Sequence, residues 1–259
     1  LPRRQDYHGR EADPYLSWSR PARAILPVSS GGSRMQTLAE DLLLLALDDD
    51  KGTVSWQDVT ALPYGLGGAL LMDLALQGRV DRADQQLIVG DPSPTGDEPL
   101  DDALATMVAS QKPRDATHWV RELGARKGLQ EQLARRLVAR GILREEDQTF
   151  LWVFHSQRFP TSDPDPELAL RAGIRDVVLN GAEPDARTLL LLSLVHTCRL
   201  NDSLFSRDER ERAGQRIADL VAGEQFGEAV GKAIAAVVAA VAATTAAVFT
   251  ATVAPGAHH

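Results

Sequence analysis

Apolar residues fall along this chain in long blocks with helical spacing, and those blocks begin only after residue 34. Residues 1–34 mix Arg, Pro, Ser and Gly, end in SSGGSR and have no apolar period, so they read as an N-terminal extension or leader, with Met35 as a native start. From Thr37 the pattern turns helical. Thr37 can cap a helix whose third residue is Glu40, and the leucine run Leu42–Leu45 follows. The polar stretch from Asp48 to Gly52 then predicts a turn. Gly68–Gln77 is apolar nearly all round, which predicts a central helix buried on most sides, with Asp73 its only charge and Gly78 closing it.

Beyond that helix, Arg79–Val89 alternates as a short hairpin and Gly90–Pro99 is rich in turn residues. Further helices are predicted over Leu100–Ser110, Ala116–Leu123, Leu129–Arg140, Glu167–Leu179, Asp185–Arg199, Arg207–Ala222 and Glu228–Thr250. Gln148–Phe159 is the exception: TFLWVF gives way to a polar HSQR tip and Phe159-Pro160, a hairpin with an unusually apolar first strand. Ala233–Ala254 is uncharged and long enough to cross a bilayer, yet it is built of Ala, Val and Thr, which favours a packing C-terminal helix. The expected fold class is mainly α, a single globular helical domain over residues 35–254 with short β-hairpins. Residues 255–259 read as a tail or tag remnant.

Charge narrows the functional classes. With 28 basic and 36 acidic residues, net −8, the surface as a whole does not grip nucleic acid or anionic lipid, so any anion site must be local. The segment from Arg121 to Arg144 is such a place: Arg121, Arg126, Lys127, Arg135, Arg136, Arg140 and Arg144 stand against Glu122 and Glu131. Each basic residue near an anionic surface is worth on the order of 1 kcal/mol. The single cysteine, Cys198, rules out an intramolecular disulfide and a Cys-based zinc site, and fits a cytosolic compartment. No apolar secretory core interrupts the arginines of the first thirty residues.

Catalytic chemistry finds little footing. His196 and Cys198 are two apart and point to different sides of a helix, His118 beside Trp119 reads as a half-buried helix residue, and no HExxH occurs. Asp48, Asp49 and Asp50 lack the spacing and terminal Glu of a calcium loop. Gly65-Leu66-Gly67-Gly68 reads as the opening of a helix, where free N–H groups can meet a phosphate, but without a P-loop lysine packing explains it better. Asp73 is expected to cap or to bridge to an arginine. No catalytic residue, metal site or cofactor is therefore assigned.

Five blocks in register identify a family resemblance: LAEDLLLLALDDDKG, GLGGALLMDLALQGRV, PTGD with LDDAL, LVARGIL at Leu137–Leu143, and RTLLLLSLVHTCRL at Arg187–Leu200. Together they resemble the Golgi phosphoprotein 3 (GPP34) family. The resemblance implies an all-α core with a short hairpin, no catalysis, and an adaptor that binds phosphatidylinositol 4-phosphate on a membrane surface. It further implies cytoplasmic, peripheral-membrane localisation, protein cargo and self-association. The family's lipid site uses an aromatic residue, an arginine before the central helix and two arginines three apart on a later helix. Here those positions hold Trp56, Gly67, Lys127 and Gln130, so the reading of the lipid is weakened or altered. Leu151, Trp152, Val153 and Phe154 match the hairpin that in the family dips into the bilayer.

The alternative is a winged-helix-like DNA-binding regulator over residues 117–159, with a basic helix followed by a hairpin wing. A DNA-reading wing is polar and basic, whereas this one is apolar, and the net charge also disfavours nucleic acid. The richness in Ala, Arg, Leu, Asp and Gly points to a high-GC bacterium.

Overall fold

Thr37 starts the structured part as its sequence suggests: its hydroxyl accepts from the Glu40 amide, and the Glu40 carboxylate accepts from the Thr37 amide, a reciprocal cap on α1 (Leu38–Ala46). The computed structural model describes residues 36–54, 60–110, 112–150, 154–222 and 228–253. Every residue of α1 is buried, because other helices cover it on all sides. Beside it runs α2 (Leu62–Leu76), with 12 of its 15 residues buried. It ends as expected at Gly78, whose φ of +68° is a left-handed conformation that glycine adopts without strain.

Glycines explain how α2 can sit at the centre. A Cβ on Gly65 would lie 2.4 Å from the Cys198 sulfur, one on Gly67 2.6 Å from the Val120 carbonyl oxygen, and one on Gly68 2.3 Å from a Val241 methyl. Three different helices therefore use the bare backbone of α2 to come close. This corrects one expectation: α2 begins at Leu62 with Pro63 in its first turn, so Gly65 to Gly68 lie inside the helix and do not open it.

The hairpin β1 (Val80–Ala83) and β2 (Gln86–Val89) follows, turning at Asp84, and β3 (Arg114–Asp115) adds a third antiparallel strand against Gln86 and Leu87. Between them lies α3 (Glu98–Ala109), capped by Asp97. Next come α4 (Ala116–Gly124) and α5 (Leu129–Ala139), then the hairpin β4 (Glu146–Phe150) and β5 (Phe154–Arg158). The remaining helices are α6 (Asp165–Arg175), which continues into one π-helical turn at Asp176–Asn180, α7 (Ala186–Thr197), the short α8 (Asn201–Leu204), α9 (Arg210–Ala222) and α10 (Glu228–Val253). The mainly helical fold class is thus as expected.

The apolar C-terminal helix packs. Residues 231–250 are long and apolar enough to cross a membrane, with a mean hydropathy of 2.1, yet α10 lies against α2, α4, α7 and β1. It buries Ala233, Ile234, Val237, Ala240, Val241 and Thr244, a spacing of three and four that marks one helix face. Arg199 closes the far end by setting its guanidinium 3.9 Å from the Phe249 ring centre.

Candidate functional site

A membrane-facing site needs exposed cations, so the pairing of each basic side chain decides what the segment from Arg121 to Arg144 can do. Arg136, on α5, donates to Glu40 at 2.8 Å and also to Asp97. Glu40 is wholly buried, and Arg140 approaches its second oxygen at 3.4 Å. Arg126 donates to Asp102 of α3, Arg135 lies 3.6 Å from Glu145, and Arg144 lies 2.9 Å from Glu146. Five of the seven cations counted in the sequence are therefore tied to carboxylates, while Arg121 and Lys127 are exposed and form no ion pair among the described residues.

A second buried network joins α1, α2 and α7. Asp73 accepts from the Leu38 amide at 2.8 Å, and Arg187 reaches the Gln36 carbonyl, the Asp41 carboxylate and, at 3.7 Å, Asp73. Burial pushes the Asp73 carboxyl up to about 7, against the opposing pull of Arg187, and raises that of Asp41 in the same sense. Asp73 thus both caps and bridges, as its place on an apolar helix implied. On α6, Glu167 is likewise pushed up to about 7, first by burial and then by its hydrogen bond with Asp49.

The residues assigned from the family resemblance are distributed as follows. Gly67 sits in the α2–α4 contact, facing the Val120 oxygen and the Gly124 nitrogen, while Gly124 in turn abuts the Pro63 oxygen. The position that carries an arginine in the resembled site is closed here by helix backbone. Lys127 lies in the turn between α4 and α5, and Gln130 is half-buried in the first turn of α5, with the left-handed Gly128 between them. They do not occupy one continuous helix, because the α4–α5 turn intervenes. Trp56 and Leu151, Trp152 and Val153 lie outside the described residues; Phe154 begins β5.

The flanks of those two segments are nevertheless joined. Phe159 donates its amide to the Gly52 carbonyl at 2.9 Å, and Thr161 donates to Asp49 at 3.1 Å, so the base of the β4–β5 hairpin is bonded to the turn that precedes Trp56. Gly52, at φ +60°, leaves no room for a Cβ beside the Pro160 nitrogen. On the other flank, Pro63 and Tyr64 touch Gly124, three residues from Lys127. The hairpin base, the ends of the Trp56 segment and the Lys127 turn are in this way linked through a chain of backbone contacts.

Sequence reasoning missed the outer face of α4. Two adjoining open hollows of about 450 Å³ each share Asp115 and His118; Arg121, Thr117 and Glu122 line one, and Arg114, Gln85 and Gln86 the other. The signal was faint, since Arg114 belongs to a strand of only two residues. His118 is half-buried as expected, its ring edge-on to Trp119 at 5.2 Å. His196 is exposed and Cys198 buried, so the two face apart. Among the described residues no group of His, Cys, Asp and Glu is placed to hold a metal ion.

The DNA-binding alternative gains no support. Helix, turn, helix and hairpin do follow one another, but α5 buries Leu129, Leu133, Ala134 and Leu137 against the core and Arg136 is spent on Glu40 and Asp97.

Comparison with known proteins agrees with this picture of the fold. A sequence model of the family described as Golgi phosphoprotein 3 (GPP34) matches residues 38–237, which run from the start of α1 into α10. The chain is also similar to the vacuolar protein sorting-associated protein 74 of Eremothecium gossypii, 28% identical over 224 residues, covering 71% of this chain and 67% of that protein. Neither match bears on the bacterial origin suggested by composition.

Proposed function

The chain belongs to the Golgi phosphoprotein 3 (GPP34) family, and from that premise we propose that it is a non-enzymatic adaptor acting at the cytoplasmic face of a membrane as a peripheral protein. The observation that carries this reading is the extent of the match, which spans the α1–α2 core, the α4–α5 turn and the β4–β5 hairpin. In this proposal Trp56 and Lys127 contact an anionic headgroup, with Gln130 contributing a hydrogen bond only, and Leu151, Trp152, Val153 and Phe154 supply the apolar insertion. One such contact binds only marginally, so the headgroup contact and the hairpin act together, or self-association multiplies them.

The lipid read differs from the one the resemblance implies. With Gly67 shut into the α2–α4 contact, no side chain at this position can reach a phosphate without parting the two helices. Phosphatidylinositol 4-phosphate is therefore bound more weakly than an arginine there would allow, and charge on neighbouring faces counts for more. Co-sedimentation with vesicles of phosphatidylcholine alone, with added phosphatidylserine, and with added phosphatidylinositol 4-phosphate tests the reading. Binding to either anionic vesicle but not the neutral one is expected. Equal failure on all three removes the membrane function.

A further inference from the structure

Two acids and one arginine meet where α6 begins. Glu167, in the first turn of α6, is only 3% exposed, and its carboxyl has two partners. Its Oε1 lies 2.5 Å from the Arg171 Nε one turn further on, and it is hydrogen-bonded to the carboxyl of Asp49 in the exposed turn between α1 and α2. Ionised carboxylates only accept, so a hydrogen bond between the two requires a proton on one of them. Among the described residues the other charges around the pair are engaged elsewhere or stand in solvent. Lys51 bonds to Asp48, Asp163 accepts the Asp165 amide, and Asp50 and Asp165 are exposed. On α1, Glu40 is taken up by Arg136 and Asp41 by Arg187 of α7, while Arg171 extends its Nη1 to the Ser203 carbonyl of α8. One cation therefore serves two acids.

The Asp49 end of this contact holds more than itself. The Asp49 carbonyl accepts the Thr161 amide at 3.1 Å and the Gly52 carbonyl accepts the Phe159 amide at 2.9 Å, so the turn lies along the end of β5. It lies close, since a Cβ on Gly52 would stand 2.1 Å from the Pro160 nitrogen. The same stretch closes the β4–β5 hairpin: Arg144 donates its amide to the Pro160 carbonyl at 2.9 Å and its guanidinium to the Thr161 carbonyl at 2.6 Å. A shift of the turn against α6 must carry the hairpin base with it or break these bonds.

We propose that the Glu167–Asp49 contact is a proton-held latch, which pins the α1–α2 turn and the hairpin base to α6 while the carboxyls share a proton and lets them part when it leaves. Burial first, and then the Asp49 contact, push the Glu167 carboxyl up to about 7 against the pull of Arg171. The latched state thus binds the proton more tightly than the parted one, in which the carboxyl meets water and returns toward its ordinary 4.5. The latch is strongest in acid and is lost as pH rises through about 7. The turn leads toward Trp56 and the strand end closes the hairpin, so the consequence for membrane attachment rests on the adaptor reading, while the latch itself does not.

The test needs no membrane, so its failure is distinct from failure of the adaptor reading. Amide hydrogen exchange of the full chain, corrected for the intrinsic rate at each pH, should show the protection of Phe159 and Thr161 falling about 10-fold between pH 6 and pH 8. Asp49→Asn, on an exposed side chain, gives Glu167 a neutral donor in place of a second acid, and Glu167→Gln replaces the shared proton with an amide that does not titrate. Both should hold the protection level across that range. Asp73→Asn, which acts through the core, should leave the fall in place. Protection that does not change between pH 6 and pH 8 in the parent protein overturns the latch. So does a fall that persists in Asp49→Asn, which decides the matter alone if Glu167→Gln does not fold. A fall that Asp73→Asn removes belongs to global unfolding and overturns the latch as well.

Discussion

Arg136 and Arg121 lie in the same basic stretch and would be counted alike in any tally of charge, yet they do opposite things. Arg136 crosses from α5 to the buried Glu40 of α1 and to Asp97, so its charge is consumed inside the fold. Arg121 ends in solvent beside an open hollow. The difference is one of topology: α5 packs against α1 and α3, which carry the carboxylates, whereas α4 turns its outer face away from every helix. Charge becomes a surface property only where no partner has been packed against it.

The largest expected effect breaks the tied side of this comparison. Arg136→Ala leaves Glu40 buried with only the more distant Arg140, and Asp97 without its partner, so stability should fall by about 3–5 kcal/mol. Chemical denaturation would measure it. A loss under about 1 kcal/mol would mean that the network contributes little. Next in size is Gly67→Arg, which restores the residue type of the resembled lipid site but drives a side chain into the Val120 and Gly124 backbone. A loss of at least about 3 kcal/mol is expected, with no gain in phosphoinositide binding, since backbone cannot rotate aside as a side chain can.

How much of this was legible in the sequence follows from the range of the interactions. The Thr37–Glu40 cap, the Gly78 stop and the opposed faces of His196 and Cys198 are local, set within three or four residues, and they stand as read. Asp73 announced itself as the only charge on an apolar helix. Arg136 and Glu40, in contrast, are 96 residues apart, and nothing in either neighbourhood names the other. The glycines of α2 misled for a related reason: their composition suggests a turn, while their function is to admit α4, α7 and α10, which a single strand of sequence cannot display. β3, two residues long, is below the length at which alternation can show. Of the candidate site, Gly67, Lys127 and Gln130 could be placed: Gly67 lies inside α2, and Lys127 and Gln130 are parted by the left-handed Gly128 that precedes α5.

A third prediction sets the buried network against pH. Asp73 has a folded-state pKa of about 7, above its unfolded value near 4, because burial disfavours the charged form. The folded protein then holds that proton more tightly, so the stabilisation is complete below about pH 4 and is lost as pH rises through 7. Glu167 adds to the slope in the same sense. Carboxylates shifted the other way, such as Asp185, which is held down by its bond to Thr188, act only below about pH 4. The unfolding free energy should therefore be higher at pH 5 than at pH 8, by an amount on the order of 2 kcal/mol. Asp73→Asn should flatten the profile, and an unchanged slope would place the titrating group elsewhere.

The smallest effect sharpens the free side. Arg144 and Glu146 form an exposed pair at 2.9 Å, and such pairs contribute about 0.2–1 kcal/mol, screened further by salt. A double-mutant cycle on Arg144 and Glu146 should return a coupling in that range that fades in 1 M salt, whereas a cycle on Arg136 and Glu40 should keep most of its coupling, because water and ions do not reach a carboxylate that is wholly buried. Arg121→Gln belongs below both, within about 0.5 kcal/mol of the parent protein at any salt concentration, since among the described residues it has no partner to lose. The ordering matters more than any one value. A measurable stability cost at Arg121 would show that this cation, too, is spent on the fold, and the distinction between a charge that builds the molecule and one that faces outward would fail at the residue on which it most depends.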